Sequence, residues 1–166
     1  YTTDSYNSVY GYLQSQLTVG VSRNKVADGL GGYILMDVGK YTTTADIALG
    51  DIDAFGTVMH SRTVGVSYKA DKYSSIKNFD LNNDGIDDSE LVTVGVYTTD
   101  SYNNVYGYLQ SQLTVGVSRN KVADGLGGYI LMDVGKYTTT ADIALGDIDS
   151  FGTVLHSETV GVSYKA

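Results

Sequence analysis

Asp80, Asn82, Asp84 and Asp88 recur at near-regular steps in the segment Asp80-Leu81-Asn82-Asn83-Asp84-Gly85-Ile86-Asp87-Asp88. Oxygen-bearing side chains at alternate positions can wrap one side of a hard cation, and the glycine permits the sharp turn that brings them together. The Ile86 carbonyl supplies a further oxygen, and Asp88 closes the set directly or through water. Ca²⁺, which takes about six to eight oxygens at flexible geometry, is the ion that this donor set suits. The same residue types also build tight turns that bind nothing. Five liganding positions in one register favour the ion. Position twelve is Leu91 rather than the bidentate Glu of an EF-hand, and residues 90–96 read as a strand, so the expectation is a structural Ca²⁺ site.

Other candidate chemistry is weaker. Asp51-Ile52-Asp53-Ala54-Phe55-Gly56 and its copy Asp147-Ile148-Asp149-Ser150-Phe151-Gly152 keep two acids and a glycine but place Phe at the fifth position. They are expected to be metal-free turns, as are residues 26–29 and 122–125. His60 and His156 stand beside Ser61 and Ser157, but adjacent strand residues point to opposite faces, which gives no Ser–His pair. No carboxylates are spaced as an acid/base pair, and no glycine-rich loop opens a helix to hold phosphate. The chain is therefore expected not to be an enzyme. Tyrosine is the unusual resource, with 15 Tyr, no Trp and three Phe. Tyr6, Tyr10 and Tyr12, with their copies Tyr102, Tyr106 and Tyr108, are candidates for gripping a sugar or a protein. The competing reading is cross-strand packing.

Composition narrows the setting. Hydrophobic residues make up 42% and charged residues 18%, which excludes a disordered chain. Val, Ile, Leu, Tyr and Thr suit half-buried strands. The net charge of −8 repels a phosphate backbone, so nucleic acid is an unexpected partner. The apolar runs are too short to insert as membrane-spanning helices. Cysteine is absent, so no disulfide or thiolate metal site exists, and Ca²⁺ can stabilise an extracellular or cell-surface domain instead. Proline is absent as well, for which composition supplies no physical reason.

An internal repeat positions these residues. Residues 1–70 return at 97–166 with a shift of 96, and only Ser8/Asn104, Ala54/Ser150, Met59/Leu155 and Arg62/Glu158 differ. A fainter alignment places residues 28–43 on 84–99, and Thr-Val-Gly-Val-Ser occurs four times, at 18–22, 63–67, 114–118 and 159–163. Both indicate units of about 48 residues. Taken as one repeat domain over 1–166, the units fall at 1–17 (partial), 18–62, 63–113, 114–158 and 159–166 (partial). The alternative is two duplicate β domains, 1–70 and 97–166, joined by 71–96. Strands are expected at 9–14, 17–22 and 33–38, with turns at 2–7, 24–32 and 41–44. Short strands are also expected across 45–59, where two glycines interrupt a helical stripe. Four short strands per unit is the scale of a propeller blade.

The order of these motifs resembles FG-GAP/VCBS repeats, in which a D-x-N-x-D-G-x-x-D loop leads into a strand, a polar loop and another strand. Residues 79–110 carry the resemblance well, and residues 45–53 partially. Phe79-Asp80-Leu81 departs from the family's usual Gly-Asp-Phe. The resemblance implies an all-β fold of β-propeller-like blades, each a four-stranded antiparallel sheet, with about three and a half units per chain. It also implies Ca²⁺ on Asp80, Asn82, Asp84, Ile86 and Asp88. Half a ring cannot close, so a homodimer completing a propeller ring is expected. The leading functional expectation is an extracellular, calcium-stabilised, lectin-like module binding a glycan or cell-surface protein. A structural adhesin-stalk or surface-filament repeat is the first alternative, and an auxiliary domain of a secreted enzyme the second.

Overall fold

The structure, a computed structural model, describes residues 1–27, 32–70 and 91–164. They form eight strands: β1 (Thr2–Asn7), β2 (Leu13–Ala27), β3 (Tyr33–Asp46), β4 (His60–Ala70), β5 (Leu91–Asn103), β6 (Leu109–Ala123), β7 (Tyr129–Asp142) and β8 (Glu158–Ser163). All lie in one antiparallel sheet in the order β1-β2-β3-β4-β5-β6-β7-β8. This meander is open, and it corrects the expected propeller, because the described residues form one sheet and no separate four-stranded blades. The long strands explain the difference. A blade needs short strands that end at the hub, whereas β2 and β6 each run for 15 residues.

Of the three polar runs expected to be turns, 2–7, 24–32 and 41–44, two are strand throughout and the third is strand over 24–27, with 28–31 outside the described residues. Thr2–Asn7 forms β1, and residues 41–44 and 24–27 lie within β3 and β2. Threonine is β-branched and fits a pleated surface whether or not that surface is buried. Conversely, residues 8–12, which overlap the strand expected at 9–14, form a hairpin turn. Ser8 Oγ accepts from the backbone N–H groups of Tyr10 and Tyr12, and Gly11 takes the left-handed conformation. The same five-residue turn recurs at Asp53, Asn104, Asp124 and Asp149, each carboxylate or amide oxygen accepting from the second and fourth residues onward. Three-residue loops ending in a left-handed glycine are a favoured hairpin connection. Ser8 and Asn104 differ between the copies yet do the same job.

Strand pairing aligns like residues in rows. Thr3, Thr18, Thr43, Thr63, Thr99, Thr114, Thr139 and Thr159 stand side by side, one on each strand. Their hydroxyls hydrogen-bond in pairs at 2.8–2.9 Å: Thr3–Thr18, Thr43–Thr63, Thr99–Thr114 and Thr139–Thr159. Two residues along on the same face runs a second row: Gly20, Tyr41, Gly65, Tyr97, Gly116, Tyr137 and Gly161. The Tyr41 ring lies on Gly20, Tyr97 on Gly65 and Tyr137 on Gly116, in the space that a Cβ would occupy. Glycine alone admits the ring there, and the aromatic face shields a backbone that would otherwise face water. The opposite face carries Val19, Val64, Val115 and Val160 alternating with threonine.

Little is enclosed. Among the described residues the buried apolar side chains are Met36, Ala45, Ile52, Ala141 and Ile148, and none is less than 2% exposed. Ile52 and Ile148 lie in the β3–β4 and β7–β8 connections. Each connection has a short 3-10 helix, Ile47–Leu49 or Ile143–Leu145, followed by an isolated bridge, Ile52↔Val58 or Ile148↔Val154. Of the short strands expected across 45–59, the structure has the end of β3 at Ala45 and Asp46 and, beyond it, the Ile52↔Val58 bridge.

With so little interior, cross-strand packing must stabilise the sheet. Gly65→Ala is expected to lower stability by about 1–3 kcal/mol, because a methyl group displaces the Tyr97 ring. A urea titration of the variant checks this through its midpoint.

Candidate functional site

The best-organised polar cluster forms where the β3–β4 connection returns to the sheet. Asp46 caps the 3-10 helix by accepting from the Ala48 N–H at 2.7 Å, and Gly50 reverses the chain in the left-handed conformation. That reversal places Asp51, which is buried, against the start of β4. Its carbonyl accepts from the N–H groups of Met59 and His60, and its Oδ2 from the Asp46 N–H. Asp51 Oδ1 lies 2.6 Å from His60 Nδ1, and His60 Nε2 lies 3.0 Å from Asp100 Oδ1 on β5. The imidazole stacks on Tyr102 with centroids 4.5 Å apart, and Arg62 Nε stands 3.8 Å from Asp100.

A carboxylate on each ring nitrogen suits the imidazolium, in which both nitrogens donate. Burial opposes that charge, but the hydrogen bonds to Asp51 and Asp100 and their negative charge outweigh it, so the His60 pKa is raised. With both nitrogens committed, the ring has none left to activate a nucleophile. The cluster acts as a clasp joining the connection, β4 and β5. In the second copy His156 Nδ1 meets Asp147 Oδ1 at 2.7 Å, and this hydrogen bond holds the Asp147 carboxyl below the usual carboxylate range. The clasp's second acid is missing there: among the described residues, His156 has no counterpart of Asp100.

Asp53 and Asp149 serve as turn caps. Backbone N–H groups, Thr57 foremost for Asp53 and Thr153 for Asp149, hold both carboxyls below their ordinary range. The turns expected from sequence at 51–56 and 147–152 cover both acids. The signal that identifies them is Ser/Asn/Asp followed three residues later by glycine. The Ca²⁺ set Asp80, Asn82, Asp84, Ile86 and Asp88 lies outside the described residues. Among the described residues no three acidic or histidine side chains are arranged to hold a metal.

The six candidate tyrosines separate into pairs. Tyr10 and Tyr12 line a shallow groove of about 530 Å³ with Val9, Leu13 and Ile47, and Tyr12 meets Phe55 edge-on at 6.5 Å. Tyr106 and Tyr108 lie 6.5 Å apart at the equivalent turn. Tyr6 and Tyr102 stand apart from them, Tyr102 against His60 and Tyr6 exposed on the edge strand. The structurally central tyrosines, Tyr41, Tyr97 and Tyr137, were not singled out by sequence. Their signal was the repeated Tyr-Thr-Thr string, whose partner across the ladder is Thr-Val-Gly-Val-Ser.

No helix among the described residues is long and apolar enough to cross a membrane. No protein-family model matches the chain, and no curated protein or solved structure is significantly similar to it.

The clasp has a pH signature. Its folded pKa lies above the unfolded value of about 6.5, so its stabilisation is complete below that pH and is lost as pH rises through the folded pKa. Asp100→Asn is expected to lower the His60 pKa in an NMR titration and to cost about 1–2 kcal/mol at pH 6. The variant's stability should also vary less with pH than the parent's between pH 6 and about 8.

Proposed function

We infer that the chain is a non-enzymatic structural repeat of an extracellular surface, a length of antiparallel sheet used as a stalk or filament unit. What supports this is the set of side-chain rows that cross the sheet from edge to edge. A threonine stands at the same height on every strand, and the Gly/Tyr and Val/Thr positions alternate from strand to strand, so each added pair of strands extends the sheet in the same pattern. Binding sites for small molecules are usually concave and enclosed. Here the side chains of the rows are half-buried or exposed on both faces. The Ca²⁺ loop at 80–88 falls in sequence between β4 and β5, the junction of the two copies, where an ion would stiffen the join.

The groove at Tyr10 and Tyr12, repeated as the Tyr106–Tyr108 pair, favours a second reading: capture of a glycan or glycoprotein. Two equivalent sites on one chain would add avidity. Glycan-array binding that disappears on Tyr10→Ala plus Tyr106→Ala would support this reading over the structural one.

For the structural reading, solution scattering should give a plate about 10 Å thick, the depth of a single sheet layer. A compact globular profile would refute it. For the ion, thermal unfolding with Ca²⁺ and with chelator should differ by about 2.7 kcal/mol at a hundredfold excess over Kd. Identical curves would exclude the site.

A further inference from the structure

The two edges of the sheet are complementary halves of an interface that the molecule already contains. β4 pairs with β5, from His60↔Tyr102 through Gly65↔Tyr97. β8 is the copy of β4, and β1 with Tyr1 is the copy of the corresponding part of β5. At the internal seam Tyr97 covers Gly65, which is buried. At the edges, Gly161 is exposed and carries no ring, while Tyr1 is 92% exposed. His156 likewise has Asp147 but lacks a second acid, and Asp4 is the copy of Asp100. One edge thus offers an uncovered glycine and a half-made clasp. The other offers the missing tyrosine and carboxylate.

We propose that β8 of one copy pairs antiparallel with β1 of a second copy, in the register of the β4–β5 seam, and that Glu158 restrains this pairing. The proposal rests on the structural reading above and names its partner. The register sets His156 against the partner's Tyr6, Glu158 against the partner's Asp4, Thr159 against the partner's Thr3 and Gly161 against the partner's Tyr1. Every position but one reproduces the internal seam. Where Arg62 faces Asp100, Glu158 faces an aspartate, and like charges directly opposite destabilise a strand pair. One of the four differences between the copies therefore falls on the exposed edge, where a charge blunts the growth that an identical copy would allow. Because the two surfaces differ, the contact is head-to-tail and leaves each copy a free edge for the next.

Sedimentation velocity on the 166-residue chain across a concentration series tests this. Glu158→Arg, which restores the charge at the internal seam, should tighten association by about tenfold, and added salt should strengthen parental association while weakening the variant's. Tyr1→Ala, at an exposed position that does not support the fold, should weaken the Glu158→Arg assembly several-fold. Mixed single-cysteine chains, Thr3→Cys and Thr159→Cys, should form the mixed disulfide in preference to either like pair. Glu158→Arg associating no more tightly than the parent would overturn the proposal. So would indifference to Tyr1→Ala, or a Thr3→Cys plus Thr159→Cys chain that links only within itself. A Glu158→Arg chain that stays monomeric while scattering as a thin plate would remove the seam and leave the structural reading standing.

Discussion

The structure depends on a contact that no globular core provides: a tyrosine ring laid flat on the glycine of the preceding strand. It occurs at β2–β3, β4–β5 and β6–β7. The intervening seams carry the paired threonine hydroxyls. Two kinds of seam therefore alternate, one aromatic and one hydrogen-bonded. Each tyrosine buries one ring face without a second layer, and each glycine loses the exposure that normally makes it weak in a strand.

This arrangement accounts for the small number of buried side chains. A sheet with both faces open gains little from transfer of apolar surface, so its stabilisation is spread over many cross-strand pairs worth about 0.2–1 kcal/mol each. Regular register is then essential, because a one-residue slip would move every tyrosine to the valine face. The bulges at Ser22/Arg23, Ser67/Tyr68 and Ser118/Arg119 fall at matching heights, each inserting one residue into the partner strand, Val38 on β3, Val94 on β5 and Val134 on β7. Beyond the bulges, Arg23–Asp37 and Arg119–Asp133 pair across the ladder at 2.8 and 3.0 Å.

The all-β class, the 96-residue duplication and the strand character of Thr-Val-Gly-Val-Ser were legible in the sequence. The strand ends and the architecture were not. Alternation of apolar and polar residues identifies a strand only when one face is buried, so Thr2–Asn7 and the threonines of β3 looked like turns. The turn at Ser8 was hidden by Val9, Tyr10 and Tyr12, apolar residues that here sit on an exposed hairpin. The expectation of four-stranded blades rests on unit length and on the FG-GAP/VCBS resemblance, neither of which reveals whether successive units share one sheet. At His60 the sequence excludes a pairing with Ser61 but does not reveal the partners Asp51 and Asp100, which lie 9 and 40 residues away. No local spacing reports such a contact.

Tyrosine over glycine can be observed directly through the glycine α-protons, which a ring face shields. Proton NMR of the folded chain should show the α-protons of Gly20, Gly65 and Gly116 shifted well upfield, with those of Gly161 in the uncoupled monomer near ordinary strand values. All four at ordinary values would mean that the rings do not lie on the backbone, and the account of how this sheet is held together would be wrong.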